Sequence, residues 1–182
     1  MKKYFFIFLI TFLNTETLAS KKDKVINNLK SINNFTFNFE QNINGKTENG
    51  ECIISYPKKI FCKYNLPNNK VIVSNGQSLV VKTKSSYYLY PLERTPLELI
   101  LSKEFLLKKI NNLEERIIEN KFINYNFSEN NFEINIFFDY DSYNLIGWQT
   151  EDIYQNLSIT FISSIIKNKN IDENLFTLPK QN

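Results

Sequence analysis

The sequence predicts an α+β fold: a strongly curved antiparallel sheet, an unclosed β-barrel, with an N-terminal helix and a helical lid. Three observations predict it. Apolar residues recur every second position in segment after segment, with turn residues between, which is the pattern of strands joined by hairpins. Roughly ten such segments cannot stay flat as one sheet, so the sheet curls. A single helical stretch interrupts them near the middle, placed to cover the mouth of the curl.

The first residues read as an export signal. Lys2-Lys3 is a basic start, and Tyr4–Leu13 is an apolar run too short to span a bilayer. Thr17-Leu18-Ala19 offers a cleavage site after Ala19, leaving residues 20–182 as a single domain. No cysteine follows the cleavage site, so a lipid-anchored protein is not expected. Ser20–Asn33 is an amphipathic helix, with Val25, Ile26, Leu29 and Ile32 on one face and Lys21, Lys22, Lys24 and Lys30 on a solvated one.

Six strands follow. Phe35–Ile43 alternates, placing Phe35, Phe37 and Phe39 on one face. Asn44-Gly45 and Asn49-Gly50 mark a hairpin loop. Glu51–Tyr56 and Ile60–Tyr64 flank Pro57, so Cys52 and Cys62 oppose each other; in an oxidising compartment we expect a structural disulfide. Val71–Ser74, Leu79–Lys82 and the aromatic strand ending at Tyr90 complete the meander, with Tyr88 and Tyr90 on one face. Leu97–Leu101 then forms a short, apolar helix. Thr95 is placed to cap it, Pro96 to occupy its first position and Glu98 to close a capping box. Too short to stand in water, it must be covered on several sides. Glu104–Leu113 is a second helical piece; around Arg116–Ile118 the pattern does not separate strand from helix. Strands resume over Phe122–Phe127, Phe132–Phe138, Leu145–Tyr154 and Leu157–Ile162, with Ile165–Asn170 as one more. A helical turn over Asn170–Phe176 closes the chain.

The chemistry is as informative for what it lacks. The 182 residues contain no histidine, which removes His-based general bases, the common triads and His-ligated metals. Phosphate-binding and nucleophile-elbow motifs are missing too. The net charge of +3 is too small to suggest a nucleic-acid partner. Glu114-Glu115 and Asp139-Tyr140-Asp141 are acidic pairs that surface and turn placement explain more simply than hydrolysis does, and Asp139 and Asp141 lack the rest of a calcium loop. We therefore expect no enzyme, no metal site and no cofactor. Surplus apolar surface remains: Phe35, Phe37, Phe39, Tyr88, Tyr90, Leu97, Ile100 and Leu101 are the candidate lining of a cavity for an acyl chain, whose burial is worth about 0.8 kcal/mol per methylene.

Taken in order, several short motifs resemble the outer-membrane lipoprotein carrier proteins, the LolA family. They are Phe37-x-Phe39-x-Gln41, Gly50 opening a strand to Tyr56-Pro57, Lys63-Tyr64-x-x-Pro67, Val71-Ile72-Val73-Ser74-Asn75-Gly76 and Tyr90-Pro91-Leu92 before Thr95-Pro96-Leu97. Leu145-x-Gly147-Trp148 with Asp152, and Ile171-Asp172 before Phe176-x-Leu178-Pro179, continue the series. The resemblance implies a monomeric periplasmic chaperone that takes lipoproteins from an inner-membrane ABC-type release complex and carries them, acyl chains shielded, to an outer-membrane receptor. It also implies a lid latch beside the second hairpin, where the family often has arginine. Tyr56 holds that position here, with Lys58 or Lys59 as the substitute cation. A related periplasmic lipid-binding or sensing module with the same half-barrel is the alternative reading, and a hydrolase working through carboxylates such as Glu114 and Asp141 is the other.

Overall fold

The computed structural model describes residues 20–151 and 157–181. The expected signal segment and the end of the Leu145–Tyr154 strand lie outside them. Helix α1 (Lys21–Ser31) begins on a full capping box, Ser20 accepting from the Asp23 amide while the Asp23 carboxylate accepts from Ser20. Its lysines are less free than a solvated face implies: the Lys21 ammonium lies 3.3 Å from the Tyr140 ring centre, and Lys22 pairs with Glu115 at 3.9 Å.

Six strands follow: β1 (Asn34–Ile43), β2 (Lys46–Ser55), β3 (Lys59–Tyr64), β4 (Val71–Asn75), β5 (Ser78–Lys82) and β6 (Tyr87–Pro91). A 3-10 turn (Leu92–Arg94) leads to α2 (Leu97–Leu101) and α3 (Lys103–Asn112). The chain returns through β7 (Arg116–Ile118), β8 (Phe122–Glu129), β9 (Phe132–Asp139), β10 (Leu145–Glu151) and β11 (Leu157–Lys167), then a 3-10 turn at Glu173–Phe176. All eleven strands form one antiparallel sheet in the order β6-β5-β4-β3-β2-β1-β11-β10-β9-β8-β7. The sheet is an unclosed barrel, as the alternation predicted, with β6 and β7 as its two edges.

Three local expectations need correction. Only Asn44-Gly45 makes the first hairpin turn; Asn49-Gly50 lies inside β2. Gly50 is a glycine for space, because a Cβ there would stand 2.1 Å from the Lys63 carbonyl oxygen and 2.9 Å from the Phe39 ring. The capping box on α2 does not form: the Thr95 hydroxyl turns back to the Leu92 carbonyl at 2.8 Å, and Pro96 stands at the helix entry without a side-chain bond. The expected pair of strands after Leu157 is one strand, β11, kinked where Ser164 takes a positive φ of 53°. Arg116–Ile118 is settled as a strand.

The inner face carries the core. Helices α1 and α3 pack on each other. Helix α3 meets β8 through the Phe105 and Phe127 rings, and α1 meets the turn after β9 through Lys21 on Tyr140 and Asn28 on Tyr143. Leu106, Ile110, Ile123, Tyr125, Ile134 and Ile136 are fully covered in this part of the core. That half is solid. On the outer face, the 3-10 turn at Glu173–Phe176 lies against β3 and β4, burying Phe176.

Candidate functional site

The other half of the inner face, over β1–β4, lies under α2 rather than under α1 and α3. Its walls come from alternation: each strand sends every second side chain inward. From β1 come Phe37 and Phe39, from β3 Ile60, and from β4 Ile72, while Cys52 and Cys62 bridge β2 and β3. The Trp148 ring meets Phe37 edge-on with centres 6.3 Å apart. Pro96 and Leu97 of the lid complete a cavity of about 130 Å³.

That volume decides what the closed form can hold. It falls below the ~300 Å³ at which small-molecule pockets begin. Housing a whole acyl chain calls for more room than this, and the lid is the wall of the cavity placed to give it.

Three of the eight candidate lining residues, Phe37, Phe39 and Leu97, border this cavity. Phe35, Ile100 and Leu101 are instead buried in the packing around it, at 2%, 0% and 0% exposure. Tyr90 packs at the margin of the core, whereas Tyr88, stacked on it at 6.4 Å, is 53% exposed. Tyr88 does not line the cavity, because β6 is the sheet edge and α2 does not reach over it. Sequence reading passed over Trp148, Ile60 and Ile72 as lining, and also Gln41, Tyr64, Thr150 and Thr160. Continuing the period of two along β1 from Phe39 points directly to Gln41.

The lid is held at the Tyr56–Lys59 hairpin. Tyr56-Pro57 is a cis peptide and Lys58 adopts a positive φ of 64°. This turn aims both polar groups of Lys58 at α2: its amide donates to the Leu101 carbonyl at 2.9 Å, and its ammonium meets the Glu98 carboxylate at 2.8 Å. Lys103 adds a bond to the Ile32 carbonyl at 2.8 Å. Lys59 was a candidate latch and is not one: β3 has begun, its side chain points outward, and it pairs with Glu173 at 2.7 Å. Tyr56 sits beside the lid but does not latch it through its hydroxyl, which is buried without a partner. Its ring packs against Phe35, centres 6.1 Å apart, and under the Lys103 ammonium; burial pushes its phenol well above the usual tyrosine range.

Away from the lid the cavity turns polar. The Tyr64 hydroxyl donates to Gln41 Oε1 at 3.0 Å, and Gln41 Nε2 donates to Ser158 Oγ at 3.1 Å and Thr160 Oγ1 at 3.2 Å. Beside them Glu48, 7% exposed, is held by Lys46 and Lys70. Burial opposes its ionisation, but hydrogen bonds from the two ammonium groups prevail and keep the carboxyl below its ordinary range. The acidic pair Asp139 and Asp141 belongs to a turn, with Asp139 accepting from the Ser142 amide and hydroxyl at 2.7 and 2.6 Å. Among the described residues there is no grouping of three metal-ligating side chains and no helix long and apolar enough to cross a membrane.

The family model described as "Outer membrane lipoprotein carrier protein LolA" matches residues 30–179. The chain belongs to this family. The match begins late in α1 and ends after the last 3-10 turn, so it takes in the whole sheet, the lid and the latch. No curated protein sequence matches the chain. Among solved structures, it is similar to a LolA superfamily protein from Nitrosomonas europaea, at 9% identity and a TM-score of 0.44, covering 88% of this chain and 99% of that one. It is also similar to the Mycobacterium tuberculosis lipoprotein LppX, at 12% identity and a TM-score of 0.44, covering 84% and 96%. A third is the Pseudomonas aeruginosa MucA/MucB complex, at 10% identity and a TM-score of 0.39, covering 88% and 62%. Likenesses at this level carry no functional argument. What the LolA family match and the half-barrel establish together is a carrier-type, lipid-binding fold.

Proposed function

We propose that this LolA-family protein is a periplasmic lipoprotein carrier, exported with a cleaved signal peptide. It accepts a lipoprotein from an ATP-driven release complex of the inner membrane, shields the acyl chains beneath α2, and passes them to an outer-membrane receptor. It performs no catalysis. The observation that supports this reading is the apolar chamber roofed by Pro96 and Leu97, with a hairpin latch at the roof's edge. A core built only for stability needs no chamber, and the polar tie at the roof's edge, an ion pair and one backbone bond, is weak enough to release.

Lipoprotein release from spheroplasts tests it. Added protein carries the released lipoprotein into a soluble complex, and Leu97→Arg lowers the yield by placing a charge on the chamber wall. Glu114→Ala and Asp141→Ala leave the yield as it is. Lipoprotein that stays in the membrane fraction at every protein concentration defeats the proposal. N-terminal sequencing of the exported chain should begin at Ser20.

A further inference from the structure

The inner face changes character along the strands, and it changes on neighbouring strands at one level. On β1 the inward row runs Phe35, Phe37, Phe39, then Gln41; on β11 it runs Ile162, then Thr160 and Ser158. On β3 it runs Ile60, Cys62, then Tyr64. The polar ends meet because register brings them together: Gln41 faces Thr160 on one side and Glu48 on the other, while Thr150 faces Ser158. Gln41, Thr150 and Thr160 border the chamber itself. Thr160 and Ser158 are 3% and 8% exposed. Apolar side chains there would stabilise the fold more, since a buried polar group at best recovers its desolvation through hydrogen bonds.

The bond pattern says what this end offers. Tyr64 donates to Gln41 Oε1, which turns the amide so that Nε2 points at Ser158 and Thr160. Both hydroxyls are acceptors in those bonds, and each keeps its own proton to donate. Thr160 borders the chamber, so its hydroxyl proton is on offer at the wall of a chamber whose far end is hydrocarbon, whereas Ser158, its fellow acceptor from Gln41, is not among the lining residues.

We propose that Thr160, positioned by Gln41 and Tyr64, binds the ester or amide carbonyl at the head of an acyl chain and so fixes its direction, tail under the lid and head toward the β1–β2 hairpin. This rests on the lipid-carrier reading above and specifies where its ligand is held.

The test uses two probes of equal length, monopalmitoylglycerol and its ether analogue monohexadecylglycerol, which differ by the carbonyl alone. Each displaces a fluorescent fatty acid from the purified, delipidated protein. The ester competes about three- to tenfold more tightly than the ether, the yield of one hydrogen bond. In the near-isosteric variant Thr160→Val the two probes become equal and the ether is unaffected. Equal competition in the wild-type protein, which needs no variant, overturns the inference, as does a preference that survives in the variant. If neither probe displaces the dye, the carrier reading falls along with it; if both do so equally, only the carbonyl site falls.

Discussion

Replacing Glu98 by glutamine keeps the shape of α2 and removes one charge of the latch. The Lys58–Glu98 pair spans 2.8 Å, with the lysine side chain 40% exposed and the glutamate 17%. Exposed pairs contribute about 0.2–1 kcal/mol, and the cover over Glu98 puts this one near the upper end. One kcal/mol is about fivefold in an equilibrium constant. The amide of Lys58 still bonds the Leu101 carbonyl, so the lid loosens without detaching. Stopped-flow uptake of a fluorescent fatty acid reads the change when opening limits entry. Glu98→Gln loads about three- to fivefold faster at low salt. In 1 M salt, where the screening length is about 3 Å, the wild-type protein approaches the variant and the variant itself is insensitive. Lys59→Ala loads at the wild-type rate, because Lys59 is engaged with Glu173 on the outer face. Equal acceleration by Lys59→Ala, or none by Glu98→Gln, would refute the assignment of the latch.

Three further outcomes follow from packing and charge. Gly50→Ala drives a methyl into the Lys63 carbonyl and the Phe39 ring and should cost about 1–3 kcal/mol in urea unfolding, as overpacking does; an unchanged midpoint would show that β2 and β3 can separate freely. Reducing Cys52–Cys62 releases a cross-strand tie on the chamber wall, and for a loop this short about 2–3 kcal/mol of stability should go with it in the same assay. Glu48 has a lowered pKa in the folded protein, so its contribution is complete above the unfolded value of about 4.3 and disappears as pH falls through the folded one. Thermal melts from pH 6 to pH 3 should show Glu48→Gln losing less stability on acidification than the wild-type protein, and parallel curves would contradict the sign.

Most of the sheet was legible because period-two alternation survives wherever one face is buried. Phe35, Phe37 and Phe39 declare their face without help, and the two cysteines fall opposite each other at matched distances from Pro57. What failed depended on neighbours that composition does not display. Asn49-Gly50 resembles a turn, yet Gly50 is small because β3 and the Phe39 ring press on it. Thr95 matches a cap, yet its hydroxyl finds the Leu92 carbonyl first. Lys58 and Lys59 are indistinguishable as letters; a positive φ at Lys58 turns one inward and the start of β3 turns the other out. Of the chamber residues missed, Gln41, Thr150 and Thr160 are polar, and a search for greasy surface passes over them even when their alternation is correct; Ile60, Ile72 and Trp148 are apolar, and only the sheet order brings them beside Phe37 and Phe39.

The lid's own side chains explain why the chamber is small. Leu99, Ile100 and Leu101 are 3%, 0% and 0% exposed. Their burial is worth roughly 5–9 kcal/mol, against about 2 kcal/mol for the ion pair and the backbone bond of the latch. Apolar contact, more than the latch, therefore holds α2 down beside the chamber. Opening into water forfeits that contact; opening onto a chain of about 16 carbons, worth roughly 12 kcal/mol at 0.8 per methylene, replaces it. Empty and loaded forms thus exchange one hydrocarbon surface for another, and the polar latch sets how fast the exchange begins. Hydrogen exchange checks this. In the empty protein the amides of α2 are protected; on binding palmitate their protection falls while that of α1, which packs against α3, is retained. Ligand bound with α2 as protected as before would mean that the chain enters without displacing the lid, and the competition between helix and acyl chain would have to be abandoned.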